Sequence, residues 1–160
     1  MAETVEDVLI ERQEKEKQLE VDFAEHFLAE IQRRDLIKTK AHEMGKKVII
    51  CDIDGTILEQ VGSKVKSNSK EIYSKAKPIQ DKIDYMNTLY DDGHYIIYWT
   101  SRGCASGTDY QQFTQEQLTT LGVRYSECIT FKPHYDVWID DKAVAVSDET
   151  DFVSSIQTKL

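Results

Sequence analysis

Between Thr4 and Met44 neither proline nor glycine interrupts the chain, and acidic and basic side chains alternate densely, the pattern of a long solvated helix. Its apolar positions form two groups: Val5, Val8 and Leu9, then Leu19, Phe23, Phe27 and Ile31 at four-residue spacing. The polar stretch ERQEKEKQ between them breaks any sustained heptad, which argues against a long autonomous coiled coil. The expectation is an amphipathic helix that packs one stripe on the body of the protein or on a second copy, with Gly45 as its stop.

Beyond Gly45 the period changes. KVIICDI reads as a buried strand, IQDKIDYMNTLYDDG as a helix with Ile79, Ile83, Met86, Leu89 and Tyr90 on one face, and HYIIYWT as a second buried strand. TDYQQFTQEQLTTLG reads as a helix, ECITF as a short strand, YDVWID as another, AVAV as an edge strand, and SDETDFVSSIQTKL as a closing helix or turn. Strands without polar alternation, separated by helices, predict an α/β fold: a central parallel sheet covered on both faces, preceded by the long amino-terminal helix. Ligands of such a sheet lie beyond the carboxyl ends of its strands. The expected division is a helical extension over residues 1–45 and a body over 46–160.

Length, charge and cysteines narrow the function. A chain of 160 residues suits one body plus an appendage. Its net charge of −9 argues against broad affinity for nucleic acid or an anionic membrane. The three cysteines, Cys51, Cys104 and Cys128, form no CxxC pair and do not suggest a disulfide framework, so a reducing cytoplasmic setting is expected. No apolar run approaches the roughly 20 residues of a membrane span, and the opening residues lack the apolar core of a signal peptide.

Three predicted strands end in residues capable of chemistry: the first in Asp52 and Asp54, the second in Thr100, Ser101 and Arg102, the VWID strand in Asp140 and Asp141. In a parallel sheet these ends are neighbours. Four carboxylates there would repel one another unless a cation sat among them, and an oxygen-rich site of this kind suits Mg²⁺ with a substrate phosphate as a further ligand. Lys132 would add a fixed positive charge. Such a group suits phosphoryl transfer: one aspartate attacks phosphorus in line, and a second gives a proton to the leaving oxygen and later takes one from water. Gly55 allows a tight turn beside the phosphate, and Thr56 can bond within it.

The motifs resemble those of the haloacid-dehalogenase-like (HAD) phosphohydrolases: DxDGT is DIDGT at Asp52 to Thr56, the hydroxyl after a buried strand is Thr100, the lysine is Lys132, and the acidic pair is Asp140 and Asp141. The likeness covers about Lys47 to Phe152. It is nearest to small HAD phosphatases of capsular polysaccharide and other sugar-phosphate pathways, through KPIQDKIDYMNTLYDDGHYIIYWTSRG and FKPHYDVWIDDKA. The resemblance implies a three-layer Rossmann-like fold and a Mg²⁺-dependent phosphomonoester hydrolase with an aspartyl-phosphate intermediate, acting on a small sugar phosphate or related metabolite. Asp52 would be the nucleophile and Asp54 the acid/base. Mg²⁺ would be held by Asp52, Asp141 and the Ile53 carbonyl, with the Asp54 carbonyl a further main-chain candidate and Asp140 supporting the metal's water shell or Lys132. Thr100 and Lys132 would bind phosphoryl oxygens, joined by Ser101, Arg102 and the Gly55–Thr56 turn. Ser101 stands where the family often has alanine, and no insertion provides a cap domain, which leaves substrate selection to loops or a partner subunit.

Plainer readings stand beside these. Singly, the two aspartate pairs read as turns, Lys132 and Arg102 as surface charges, Thr100 as a helix cap and His134 as a loop histidine. His94 reads as a packing or turn residue, Cys51 as core, and Tyr95, Tyr98 and Trp99 as sheet packing. The segment from Glu59 to Lys77 carries five lysines against two glutamates, either as a solvated loop or as an attractor of anionic substrate through Lys64, Lys66 and Lys70. Two other functions fit the motifs. TSRGCASGT and IDDK resemble the turn and close of the polynucleotide 3′-phosphatase of phage polynucleotide kinases, though no P-loop is present. A non-catalytic scaffold working through the amino-terminal helix is the alternative of another class. A homo-oligomer formed through that helix is the expected assembly.

Overall fold

The computed structural model describes residues 5–60, 70–146 and 151–160, with the side chains of the first helix from Ile10 onward. The chain divides into two compact units, Met1–Met44 and Gly45–Leu160. The first is the single helix α1 (Val5–Glu43), ending two residues before Gly45. Its charged residues pair along the helix one turn apart, as in Arg12–Glu16 (3.0 Å), Lys15–Glu11 (2.6 Å) and Arg34–Glu30 (2.7 Å), each an exposed pair of small stabilising effect.

The second unit is α/β. Its elements run β1 (Val48–Cys51), α2 (Lys70–Ser74), α3 (Gln80–Asp91), β2 (Tyr95–Trp99), α4 (Gln111–Thr120), β3 (Glu127–Ile129) and α5 (Phe152–Gln157). The three strands form one sheet in the order β1-β2-β3, with both pairings parallel. Cys51 lies opposite Tyr98, and Tyr98 opposite Cys128, so all three strands end at nearly one level. Parallel neighbours need a crossover, and α3 and α4 supply the two.

The core explains the apolar runs in part: Ile50 of β1 stays 61% exposed, so that strand is not covered on both faces as expected. Ile53, Ile57, Leu58, Ile83, Met86, Ile96, Tyr98 and Leu118 are fully enclosed, with Cys51, Leu89, Val123, Cys128, Phe152 and Ile156 around them. On α3 the expected face is Ile83, Met86 and Leu89, while Tyr90 stays exposed. At the far end of the sheet the His94 Nδ1 accepts the Lys47 amide at 3.1 Å and the Tyr95 amide donates to the Lys47 carbonyl at 2.9 Å, which ties the starts of β1 and β2 together.

Two predicted strands are not formed. Residues 137–140 and 143–146 carry no strand pairing, and Val137, Trp138 and Ile139 are 73%, 48% and 93% exposed. The reason is local: the Trp138 ring packs edge-on against Trp99 (6.3 Å) and Tyr135 (5.3 Å), and the Asp140 carboxylate accepts the Lys142 amide at 2.6 Å, curling the chain into a turn. A third correction concerns the lysine-rich segment, which holds α2 rather than only a loop. Lys70 lies over the Phe113 ring at 5.9 Å. Lys64 and Lys66 fall outside the described residues.

Candidate functional site

The site lies where β1, β2 and β3 end. Directly after β1 the backbone closes on itself: the Ile53 carbonyl accepts the amides of Thr56, Ile57 and Leu58 at 3.0–3.2 Å, and the Gly55 amide donates to the Leu58 carbonyl at 2.8 Å. Gly55 takes φ +81°, a conformation that favours glycine. Burial of Ile53, Ile57 and Leu58 fixes this turn. Asp52 and Asp54, on either side of Ile53, remain partly exposed.

Each aspartate meets its own cation. Lys132 Nζ is 2.8 Å from Asp52 Oδ2, while Asp52 Oδ1 accepts the Ile53 amide at 2.8 Å. Arg102 grips Asp54 with both arms of its fork, Nε to Oδ2 at 2.8 Å and Nη2 to Oδ1 at 2.7 Å. This is the bidentate geometry that a lysine cannot supply. Thr100 Oγ1 also donates toward Asp54 Oδ2, at the long distance of 3.4 Å, and accepts the Arg102 amide at 3.3 Å.

Arg102 is 1% exposed, and its other arm is engaged as well. Nη1 donates to Gln117 Oε1 at 2.7 Å and reaches Thr114 Oγ1 at 3.5 Å, and the guanidinium lies 4.5 Å from the centre of the Tyr73 ring. Gln117 in turn donates to the Tyr73 carbonyl at 2.7 Å. Helices α2 and α4 therefore hold Arg102, and Arg102 holds Asp54. The Tyr73 hydroxyl titrates above its ordinary range, first because of burial and second because of the Asp54 charge.

The loops after β2 and β3 are bonded to one another. The Phe131 amide donates to the Arg102 carbonyl at 3.3 Å and the Lys132 amide to the Thr100 carbonyl at 2.9 Å. Phe131 takes φ +61°, rare for a bulky residue and a conformation that costs on the order of 1–3 kcal/mol. The reversal brings Lys132, only 6% exposed, back to Asp52. Gly103 is needed beneath it: at φ +87°, a β-carbon there would lie 2.3 Å from the Thr108 carbonyl oxygen and 3.2 Å from the Phe131 ring.

Asp52, Asp54, Thr100, Arg102 and Lys132 thus come together, with Gly55 and Thr56 in the adjoining turn. Ser101 is half-buried in the loop after β2. The acidic pair does not join them. Asp140 and Asp141 are exposed, and among the described residues no group of three or more acids, histidines or cysteines is placed to hold a metal. The Ile53 carbonyl is a further correction, since three amides already share it. The Asp54 carbonyl accepts no backbone hydrogen bond among the described residues. As arranged, Lys132 and Arg102 lie against the two carboxylates, and among the described residues no third acid completes a cluster with them.

Arg102 is likewise corrected, from a phosphate ligand or surface charge to a buried partner of Asp54. Tyr73, Gln117 and Phe131 are participants that the sequence did not disclose. Only the spacing of Thr114 and Gln117, one turn apart on α4, carried a signal. Cys51 is core, as expected: burial, then the Asp52 charge, pushes its thiol up to about 12, and its Sγ lies 3.2 Å from the Asp52 carbonyl. All three cysteines are free.

Comparison with known proteins bears on the fold. No protein-family model matches the chain, and no curated protein does. A solved crystallographic target from Vibrio cholerae is similar, with 25% sequence identity and a TM-score of 0.54 over 70% of this chain and 94% of that one. Among the described residues no helix is long and apolar enough to cross a membrane.

Proposed function

We propose that the chain is a phosphomonoester hydrolase of the HAD type, with the three-layer Rossmann-like architecture of that family, acting on a small phosphorylated metabolite such as a sugar phosphate. The observation that carries this reading is the pairing of Asp52 with Lys132 and of Asp54 with Arg102 at the carboxyl ends of three parallel strands. One acid sits beside a buried ammonium and the other is fixed by a buried fork, and that difference supports two distinct roles.

In this mechanism Asp52 attacks phosphorus and forms the aspartyl phosphate while the P–O bond to the leaving group breaks. Lys132 moves from carboxylate to phosphoryl oxygens as charge builds there. Asp54 acts in its protonated form, with one carboxyl oxygen turned from the Arg102 fork to the leaving group: it gives that proton to the leaving oxygen, then takes one from the water that attacks the intermediate and releases inorganic phosphate. Thr100 and Ser101 border this position. A reducing, cytoplasmic setting goes with the free cysteines.

Release of inorganic phosphate from a panel of sugar phosphates, nucleotides and 3′-phosphorylated oligonucleotides, with and without Mg²⁺, tests the proposal. The expected result is turnover that Asp52→Asn abolishes and that Asp54→Asn lowers by about 10²–10⁴-fold. The magnesium comparison is included because the resemblance implies a requirement for that ion. No turnover in either condition, or an Asp52→Asn variant as active as the parent, would refute the reading and leave a scaffold role working through α1.

One observation favours a second substrate class. The Tyr135 ring lies 5.5 Å from Lys132 Nζ and packs on Trp138, and both rings are about half exposed beside the site. Exposed aromatic faces stack on nucleobases. Release from the 3′-phosphorylated oligonucleotide but not from hexose phosphates would select the polynucleotide 3′-phosphatase reading.

A further inference from the structure

The apolar residues of α1 belong to no core. Leu19, Phe23, Phe27, Leu28 and Ile31 are 68%, 71%, 56%, 57% and 47% exposed. The Phe23 and Phe27 rings stack nearly parallel, 6.2 Å apart, so the two largest side chains form one continuous surface. Contiguous apolar exposure of this kind marks an interaction surface.

Three features identify the partner as a second copy of the same helix, running the opposite way. The first is spacing. Leu19, Phe23, Phe27 and Ile31 are four residues apart and therefore form a single i±4 ridge, which drifts around the helix instead of following the straight seam of a heptad. Such a ridge packs best beside another of its own kind, with the axes crossing at about 50°. An identical helix presents that ridge by definition.

The second is position. The ridge from Leu19 to Ile31 is centred on Glu25. A two-fold axis at this point brings the whole of each ridge onto the other.

The third is charge. From Ile10 to Glu25 the helix has six acids against three bases, and from His26 to Lys40 it has four bases against two acids. Antiparallel pairing sets the acidic half of each copy beside the basic half of the other, whereas parallel pairing sets acid against acid. Screening over about 8 Å weights the effect toward the charges nearest the crossing.

We propose that α1 is a self-association element, pairing with a second copy antiparallel across a two-fold axis near Glu25. This stands independently of the phosphatase reading. Sedimentation of the full chain at about 100 μM, where even a weak Kd registers, is expected to give a dimer. The double variant Phe23→Glu/Phe27→Glu is expected to give a monomer with unchanged unfolding of the α/β unit, because neither side chain lies in that core.

Direction is read from nitroxide labels on Gln13→Cys in a Cys104→Ser background. Twelve residues from the axis at 1.5 Å per residue, the antiparallel pair places them roughly 35 Å apart, and a parallel pair roughly half that. A monomeric parent, a dimer that survives the double variant, or the short label distance would each overturn the proposal.

Discussion

Arg102 is the residue on which the site turns. A guanidinium that is 1% exposed, with its donors shared among Asp54, Gln117 and Thr114 and its face over Tyr73, has no arm left for a substrate phosphate. It acts through Asp54 as a positioning residue. Arg102→Lys keeps the charge but loses the fork and leaves Gln117 Oε1 without its donor, so it is expected to lower stability by about 1–3 kcal/mol. On the proposed reaction the same variant is expected to lower kcat by about 10–100-fold with little change in KM, since Asp54 works on the leaving oxygen and not in ground-state binding. Steady-state kinetics with the favoured substrate of the panel, beside urea unfolding, check both. A raised KM at constant kcat would mean that the fork binds substrate after all. The same logic explains why Phe131 tolerates a left-handed backbone: Lys132 reaches Asp52 only through that reversal.

At the scale of elements, His94 makes a pH-dependent joint between β1 and β2. Its Nδ1 accepts the Lys47 amide, a bond that needs this nitrogen unprotonated, and burial, reinforced by the Lys46 charge, lowers its pKa below the ordinary value of 6.5. The unfolded chain therefore takes up the proton first. The contribution of His94 is complete above about pH 6.5 and is lost as the pH falls through the unfolded value toward the lower folded one. His94→Asn, which keeps a side-chain acceptor that does not titrate in this range, is expected to flatten the decline in unfolding free energy between pH 7.5 and 5.5. An unaltered slope would remove His94 from the joint.

This scale also divides what was legible in the sequence from what was not. Strands β1, β2 and β3 and helices α3 and α4 announce themselves through their apolar runs and periodicity, although Ile50 of β1 stays exposed, and in a parallel sheet their order alone brings Asp52, Thr100 and Lys132 to one edge. Residues 137–140 mislead for the converse reason. VWID has the composition of a strand, but composition does not reveal that the Trp138 ring is captured by Trp99 and Tyr135 while the strand pairings go elsewhere. Nor does a motif show which way a carbonyl faces: the Ile53 oxygen is spent on the turn that DIDGT itself creates. Tyr73 was invisible, and the α4 spacing named no partner for Gln117, because a buried arginine collects its partners from wherever the fold brings them.

Taken whole, the molecule separates stability from association. Every member of the buried core, from Cys51 to Ile156, lies in the second unit, and the ties at the start of its sheet, Lys47 to His94 and Tyr95 to Lys47, lie there too. Helix α1 has its own hydrogen bonds and ion pairs and an apolar surface suited to a second copy. The fragment Gly45–Leu160 is therefore expected to unfold in one cooperative step, within about 0.5 kcal/mol of the corresponding transition of the full chain, the range of changes made away from a core. Its midpoint should not depend on protein concentration. In the full chain, by contrast, mass action ties the melting of the α1 pair to concentration, so dilution should shift a helical transition without moving the other. Far-ultraviolet dichroism for the helix and the fluorescence of Trp99 and Trp138, both in the second unit, follow the two events separately. A fragment that fails to fold, or a sheet transition that shifts with dilution, would mean that α1 supports the core as well as association.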